Sequence, residues 1–212
     1  KDIMKKLAGI AIIMQFALGQ QTQEGAPYSQ IHGLGYNYHT IILPKVDRAA
    51  LLEEDTYREI GTPYRYGFIH EVNYSPANSG IWEETTDGGM MWQISFTSKN
   101  AYAIGIEYEE LYIPEGGELY VYTPGHEMIH GAYTYVNNTV SQRFSTPLIN
   151  GDEVIIEYFQ PAGVVGELSL IITEIIHDYR DIMDFSGNER DWECGVNVIC
   201  EADESYQGAI NS

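Results

Sequence analysis

The chain has 212 residues, 44% of them hydrophobic and 20% charged, which excludes a disordered polymer or a repetitive fibre and leaves room for one domain with a sizeable core. Acidic residues outnumber basic residues 31 to 11, giving a formal net charge of −20. Because such a surface repels phosphate groups, nucleic acids and anionic membrane surfaces are excluded as binding partners. The two cysteines, Cys194 and Cys200, are too few for a multi-bridge scaffold and make a poor zinc site by themselves.

The N-terminal segment has the pattern of a secretory signal. Lys5 and Lys6 precede an apolar run at residues 7–17, which is too short to span a membrane. Small residues follow, so we expect a signal peptide at residues 1–19, cleavage between Gly19 and Gln20, and a secreted, extracellular protein. The alternative is an N-terminal core helix, but nothing polar lines the other face of this run.

Residues 20–63 form the predicted lead-in to the main domain. Residues 20–42 are rich in Gln, Gly, Tyr and Ser and have little periodicity, which predicts a loosely held segment. Asp47 is a good N-cap for the one convincing helix, and helix formers follow it. We expect this helix to end near Ile60 and Gly61, because Pro63 comes just beyond.

From residue 64 the hydrophobic pattern changes to a period of two, which is typical of β-strands. Strand-like segments occur at residues 65–72, 92–97, 103–109, 111–113, 118–123, 129–136, 143–144, 153–159 and 168–176. Turns rich in Gly, Pro and Asn separate them. The pattern predicts an all-β domain at residues 64–180, an antiparallel β-sandwich of jelly-roll type. The polar residues 181–193 read as a linker.

Residues 126–130 match the HExxH pattern of zinc proteases. That chemistry requires a helix, since only there do histidines four residues apart lie on one face and close enough together to bind the same zinc ion. The neighbouring residues instead predict a strand, a turn at Pro124 and Gly125, and another strand, in which His126 and His130 would lie about 13 Å apart. A zinc metalloprotease therefore stays a minor alternative. We expect no metal and no other cofactor.

Two further functional classes can be considered from residue types. The 17 tyrosines and 3 tryptophans could stack on sugars, as in an extracellular carbohydrate- or ligand-binding β-sandwich, although tyrosine is also an ordinary strand residue. Serine, histidine and aspartate are plentiful, yet no serine lies in a sequence that exposes a nucleophile. We therefore predict no catalytic residues in this chain.

Several short stretches, in this order, resemble the pro-region of secreted bacterial lysyl endopeptidase-like serine proteases. The residues that carry the resemblance are Leu43, Pro44 and Asp47; Leu51, Leu52, Glu54 and Asp55; Arg65, Tyr66 and Gly67; Ser79, Gly80 and Trp82; Gly89 and Trp92; Ser98 and Ala101; Ile113, Pro114 and Gly116; Leu119–Tyr122; Thr146–Leu148 with Gly151–Glu153 and Ile155–Glu157; and Ile175–His177 with Tyr179 and Arg180. Each stretch is weak alone, but the ordered set is fairly specific.

The C-terminal residues 194–212 are similar to the start of the mature, trypsin-like protease in that family. The resemblance implies a downstream protease domain as partner, and implies that Cys194 and Cys200 each form a disulfide with a distant cysteine beyond residue 212. It also implies a pro-region that assists folding, maintains latency, or does both. Arg190 is the only basic residue of the linker, so we predict processing at the bond between Arg190 and Asp191.

Overall fold

The computed structural model describes residue 22 and residues 25–34, 38–59 and 61–184. Its regular elements, in chain order, are α1 (Tyr28–Ile31), β1 (His39–Ile42), α2 (Arg48–Asp55), β2 (Gly67–Tyr74), β3 (Ile81–Glu84), β4 (Met90–Thr97), β5 (Ala103–Tyr112), β6 (Glu118–Tyr122), β7 (Ile129–Tyr133), a 3-10 helix (Tyr135–Asn137), β8 (Phe144–Ser145), β9 (Ile149–Asn150), β10 (Glu153–Gln160) and β11 (Ser169–Asp178). No helix among these residues is long and apolar enough to cross a lipid bilayer.

The strands form two sheets. Sheet 1 has the order β1-β4-β10-β6-β7, and β3 pairs with the other half of β4, beside β1. Sheet 2 has the order β2-β11-β5-β8, and β9 also pairs with β5. Every strand pair is antiparallel except β1 with β4, which is parallel.

One hydrophobic core joins the two sheets, so the predicted β-sandwich is confirmed. Trp92, Ile94 and Phe96 of β4 lie on one face of sheet 1 and are fully buried. Ile104 and Ile106 of β5, in sheet 2, belong to the same buried hydrophobic cluster. This arrangement follows from the period of two, because alternate residues of a strand point to the same side of its sheet.

The lead-in is more ordered than the sequence predicts. Residues 20–42 include α1 and β1, and Tyr28 and Ser29 are buried. The Tyr28 ring stacks on Phe159 of β10, with ring centroids 4.1 Å apart. This order comes from contacts with the outer face of sheet 1, and a search for local periodicity cannot detect it.

The predicted helix begins where expected and ends early. Asp47 caps α2, accepting a hydrogen bond of 3.1 Å from the amide of Ala50. The helix ends at Asp55 instead of near residue 60. The amide and the hydroxyl of Thr56 both donate to the carbonyl of Glu53, in the last turn of the helix, and so cap its C-terminal end. The Asp55 side chain is held by residues that directly flank the strands of sheet 2, as described below.

Candidate functional site

The HExxH segment is a turn followed by a strand, as its sequence context predicts. The amide of Thr123 donates to the carbonyl of Met128 (3.0 Å), and the amide of His126 donates to the carbonyl of Thr123 (2.8 Å). The Thr123 hydroxyl also donates to Glu127 (2.7 Å), and this bond lowers the pKa of the Glu127 carboxyl. His130 lies beyond the turn, in β7.

The two histidines of this segment have separate neighbours. The His126 ring stacks on Tyr122, with ring centroids 4.7 Å apart. Nε2 of His130 lies 3.3 Å from the carbonyl oxygen of Leu148. Within the part of the chain that the structure describes, no group of three or more His, Cys, Asp or Glu residues could hold a metal ion. The segment therefore shapes the β6–β7 hairpin, and it lacks the helical face on which a zincin places its ligands.

A serine and two histidines meet between the sheets. Oγ of Ser98, just after β4, lies 2.7 Å from Nδ1 of His177 in β11 and 3.3 Å from Nε2 of His70 in β2. Burial lowers the pKa of His177 to about 4, and the nearby His70 contributes in the same direction. Burial also lowers the pKa of His70.

This Ser98–histidine cluster resembles part of a hydrolase site only in its residue types. Ser98 is 0% exposed and His177 2%, so a substrate cannot reach the hydroxyl. The cluster links sheet 1 to sheet 2 through buried hydrogen bonds. The sequence gives no local signal for it, because Ser98 and His177 are 79 positions apart.

A second cluster surrounds the carboxylate of Asp55, at the end of α2. Its Oδ2 accepts hydrogen bonds of 2.6 Å from both the Tyr179 hydroxyl and Arg180, and its Oδ1 lies 2.7 Å from Arg65. Arg48, at the start of α2, donates to the carbonyl of Tyr179 (2.8 Å). Burial alone would raise the pKa of Asp55, but the bonds from Tyr179, Arg180 and Arg65 hold it below its usual value. The cluster fastens α2 to the end of sheet 2.

A third cluster surrounds Glu157, in the middle of β10 and 0% exposed. Its Oε2 accepts hydrogen bonds from Gln93 (2.7 Å), from the Tyr122 hydroxyl (2.7 Å) and from the Ser29 hydroxyl (2.5 Å), while Oε1 accepts from the Ser29 amide (3.0 Å). All four donors are uncharged. The carboxylate thereby fixes α1 to the outer face of sheet 1.

The sequence also suggested residues for processing, for disulfides and for sugar stacking. Gly19, Gln20, Arg190, Asp191, Cys194 and Cys200 lie outside the described residues. Of the tyrosines considered for sugar stacking, seven described ones are buried: Tyr28, Tyr108, Tyr120, Tyr122, Tyr133, Tyr158 and Tyr179. Five are exposed: Tyr57, Tyr64, Tyr102, Tyr112 and Tyr135. The buried ones pack in the core, on the outer face of sheet 1 and, for Tyr179, in the cluster around Asp55.

The stretches that carried the sequence resemblance meet in space. Glu54 and Asp55, Arg65, and Tyr179 and Arg180 belong to three separate stretches and form the cluster around Asp55. No solved structure matches this chain. The family model described as "Lysyl endopeptidase N-terminal domain" matches residues 42–177, more than half of the chain and nearly all of the sandwich. The chain therefore belongs to the lysyl endopeptidase N-terminal domain family, and this domain is the N-terminal region of a protease precursor.

Proposed function

We propose that this domain is a pro-region that helps a downstream serine endopeptidase to fold and keeps it inactive until the two are separated. The observation that carries the proposal is the family match, which covers β2 to β11 almost completely. The clusters at His126 and at Ser98 are better explained as structural contacts than as catalytic groups, which favours a binding role for the domain.

The physical need for such a partner lies in the protease fold. A trypsin-like double β-barrel has many contacts between residues distant in sequence, and such topologies fold slowly. Once formed, these enzymes are protected by a high unfolding barrier, which does not by itself favour folding. A folded domain that binds the partly formed barrel lowers its folding barrier, and the same contact blocks substrate access until it is cut away.

The charge of the domain supports a partner with a more basic surface. Glu71, Glu174 and Glu107 lie directly opposite one another on β2, β11 and β5. Val72, Ile106 and Ile175, each next to one of these glutamates in sequence, pack in the core, so this row lies on the outer face of sheet 2. None of the three forms an ion pair with a described residue. Like charges in this arrangement repel each other, and a cationic surface would relieve the repulsion.

Expression of the precursor with and without residues 25–184 tests the proposal. We expect far less active protease without the domain, and recovery when the purified domain is supplied separately. Excess domain added to the mature protease should inhibit it. A Glu157→Leu domain, which we expect to be strongly destabilised, is the matched control. Equal yields of active protease with and without the domain, together with no inhibition, would overturn the proposal.

The proposal includes secretion and processing. The basic and apolar pattern of residues 1–19 supports export, with cleavage between Gly19 and Gln20. The polar composition of residues 181–193, in which Arg190 is the only basic residue, supports a linker with a processing bond between Arg190 and Asp191. Family membership supports disulfides from Cys194 and Cys200 to the downstream domain. N-terminal sequencing and disulfide mapping of the secreted enzyme test these points, and a bond between Cys194 and Cys200 would contradict the last.

A further inference from the structure

Lysine is scarce in this domain. The chain has five lysines, and three of them lie within the first six residues. From residue 7 onward only Lys45 and Lys99 remain, and both are exposed. A lysine-specific endopeptidase therefore has two bonds in the body of the chain that it can cut, and their backbone settings differ.

Lys45 lies in the irregular connection between β1 and α2. The Leu43 amide donates to the carbonyl of Thr97 (2.9 Å), and Asp47 caps the helix. Between these two anchors, the backbone of residues 44–46 forms no hydrogen bond with any described residue. Pro44 and Lys45 are exposed, and they border a groove of about 550 Å³ beside β2. A protease must draw its substrate into an extended form, and this segment has no hydrogen bond to lose.

Lys99 lies in the tight turn between β4 and β5. The Ala101 amide donates to the carbonyl of Ser98 (3.0 Å), and the Ser98 amide donates to the carbonyl of Asp152 (2.8 Å). The Tyr102 amide donates to the carbonyl of Asp178 (2.9 Å). Opening this turn for a protease requires breaking all of these bonds and disturbing the buried Ser98. Exposure of the lysine side chain alone is therefore not sufficient for cleavage.

We propose that the bond between Lys45 and Val46 is the site at which a lysine-specific endopeptidase first cuts the folded domain. The reaction is hydrolysis: the bond between the carbonyl carbon of Lys45 and the nitrogen of Val46 breaks, and water supplies the oxygen and protons that leave a carboxylate on Lys45 and an amino group on Val46. The proposal rests on the proposed function, since it assigns the released protease a first cut in its own pro-region.

A cut at this bond has a structural consequence. It separates β1 and α1 from the rest of the domain, so that only non-covalent contacts hold them. Ser29 of α1 provides two of the hydrogen bonds to the buried Glu157. Loss of the N-terminal piece would uncover that carboxylate and the Tyr122 hydroxyl beside it, and the outer face of sheet 1 would become exposed to water. One cut therefore converts a stable inhibitor into a domain that further proteolysis can remove.

Limited digestion of the full chain with a purified lysine-specific endopeptidase, followed by intact mass measurement and N-terminal sequencing, tests the proposal. We expect Val46 to be the first new N-terminus beyond residue 7, and Lys45→Arg to slow loss of the intact domain by about tenfold or more. Lys99→Arg keeps the same charge and should leave the rate unchanged. In urea, both bonds should be cut at similar rates.

A first cut at Lys99, or an unchanged rate in Lys45→Arg, would overturn the proposal. Circular dichroism spectra of both variants check that they fold. The test uses an added protease and measures no assisted folding or latency. A failed cleavage result therefore leaves the proposed function standing, and a failed pro-region test leaves the cleavage result standing.

Discussion

Two buried carboxylates hold the segments that precede β2 against the sandwich, and they do so with different partners. Asp55, whose side chain is 6% exposed, binds Arg65 and Arg180 and so fastens α2 to the end of sheet 2. Glu157 is fully buried, accepts hydrogen bonds from uncharged groups only, and fastens α1 to sheet 1. At the edge of the sandwich, arginines can bind the carboxylate and keep contact with water. Inside, an arginine would add its own desolvation cost, and neutral donors satisfy the carboxylate instead.

Glu157→Leu should have the largest effect on the free energy of unfolding. The substitution leaves the donors of Ser29, Gln93 and Tyr122 buried without their acceptor. Each unsatisfied donor costs about 1–3 kcal/mol, and some can turn to one another, so we expect a loss of about 3–5 kcal/mol. Urea unfolding measures it, and hydrogen exchange at the Ser29 amide should rise sharply. A loss below about 1 kcal/mol would show that α1 does not depend on this carboxylate.

Asp55→Ala should destabilise the domain somewhat less, by about 2–4 kcal/mol, because the arginines it releases are partly exposed and regain water. The two clusters should also differ in how strongly salt affects the stability that each contributes. Rising ionic strength should weaken the wild-type Asp55 cluster and leave the Glu157 cluster almost unchanged. Asp55→Asn is the matched control, since it keeps the shape and removes the charge. An equal salt dependence of unfolding in Asp55→Asn and the wild type would contradict this comparison.

Acidification should weaken the contact between the sheets before it reaches the Asp55 cluster. The pKa of His177 is about 4 in the folded domain against an ordinary value of 6.5. Below pH 6.5 the unfolded chain therefore binds a proton that the folded domain does not, and stability falls until about pH 4. We expect a loss of about 2–3 kcal/mol, to which the lowered pKa of His70 adds.

Two nearby aspartates limit this loss of stability on acidification. Burial raises the pKa of Asp178, so its protonation favours the folded state and offsets part of the loss, while Asp152 acts to raise the pKa of His177. The lowered pKa of Asp55 keeps its cluster intact to below pH 3.8. His177→Asn retains a polar group near the Nδ1 position and cannot titrate. Urea midpoints from pH 7 to 4 should therefore fall less in this variant, and parallel curves for variant and wild type would disprove the assignment.

The smallest expected effect is a gain in stability. Glu174 lies between Glu71 and Glu107 on the outer face of sheet 2, so Glu174→Gln removes two repulsions and should stabilise the isolated domain by a few tenths of a kcal/mol, about 0.2–0.5. Glu84→Gln, at the end of β3, is a control outside this row. A melting temperature that rises equally in both variants would point to net charge as the cause, and one that falls in Glu174→Gln would rule out the repulsion.

The sequence predicts the long strands of the sandwich better than its short strands and the segments that precede β2. β4 alternates over most of its eight residues, and the eight residues of β10 form a run rich in β-branched and aromatic residues, so the existence and approximate bounds of both strands follow from the sequence. The four residues of β3 and the two of β9 are too short for any periodicity. The parallel pairing of β1 with β4 is likewise invisible, because it depends on which edge remains free once the sheet has formed.

The polar clusters also differ in how much of them the sequence predicts. The motif stretches that contain Asp55, Arg65 and Arg180 stand out in the sequence, although nothing in them states that they touch. Glu157 and Ser29 are 128 positions apart, and a serine in a Gln- and Gly-rich lead-in carries no sign that it will cover a buried carboxylate. Contacts of this kind depend on the assembled sheet, so only the three-dimensional structure reveals them.

The position of β11 has a consequence for how the domain forms during synthesis. It is the last strand of the chain's described part, yet it lies between β2 and β5 in sheet 2. A chain that emerges from the ribosome N-terminus first therefore has β2 without a partner strand until residues 169–178 appear. Sheet 2 then closes in one late step, after nearly the whole domain has been made. Until that step the nascent chain lacks the compact sandwich, and an unfolded chain is the form that a translocation channel can accept.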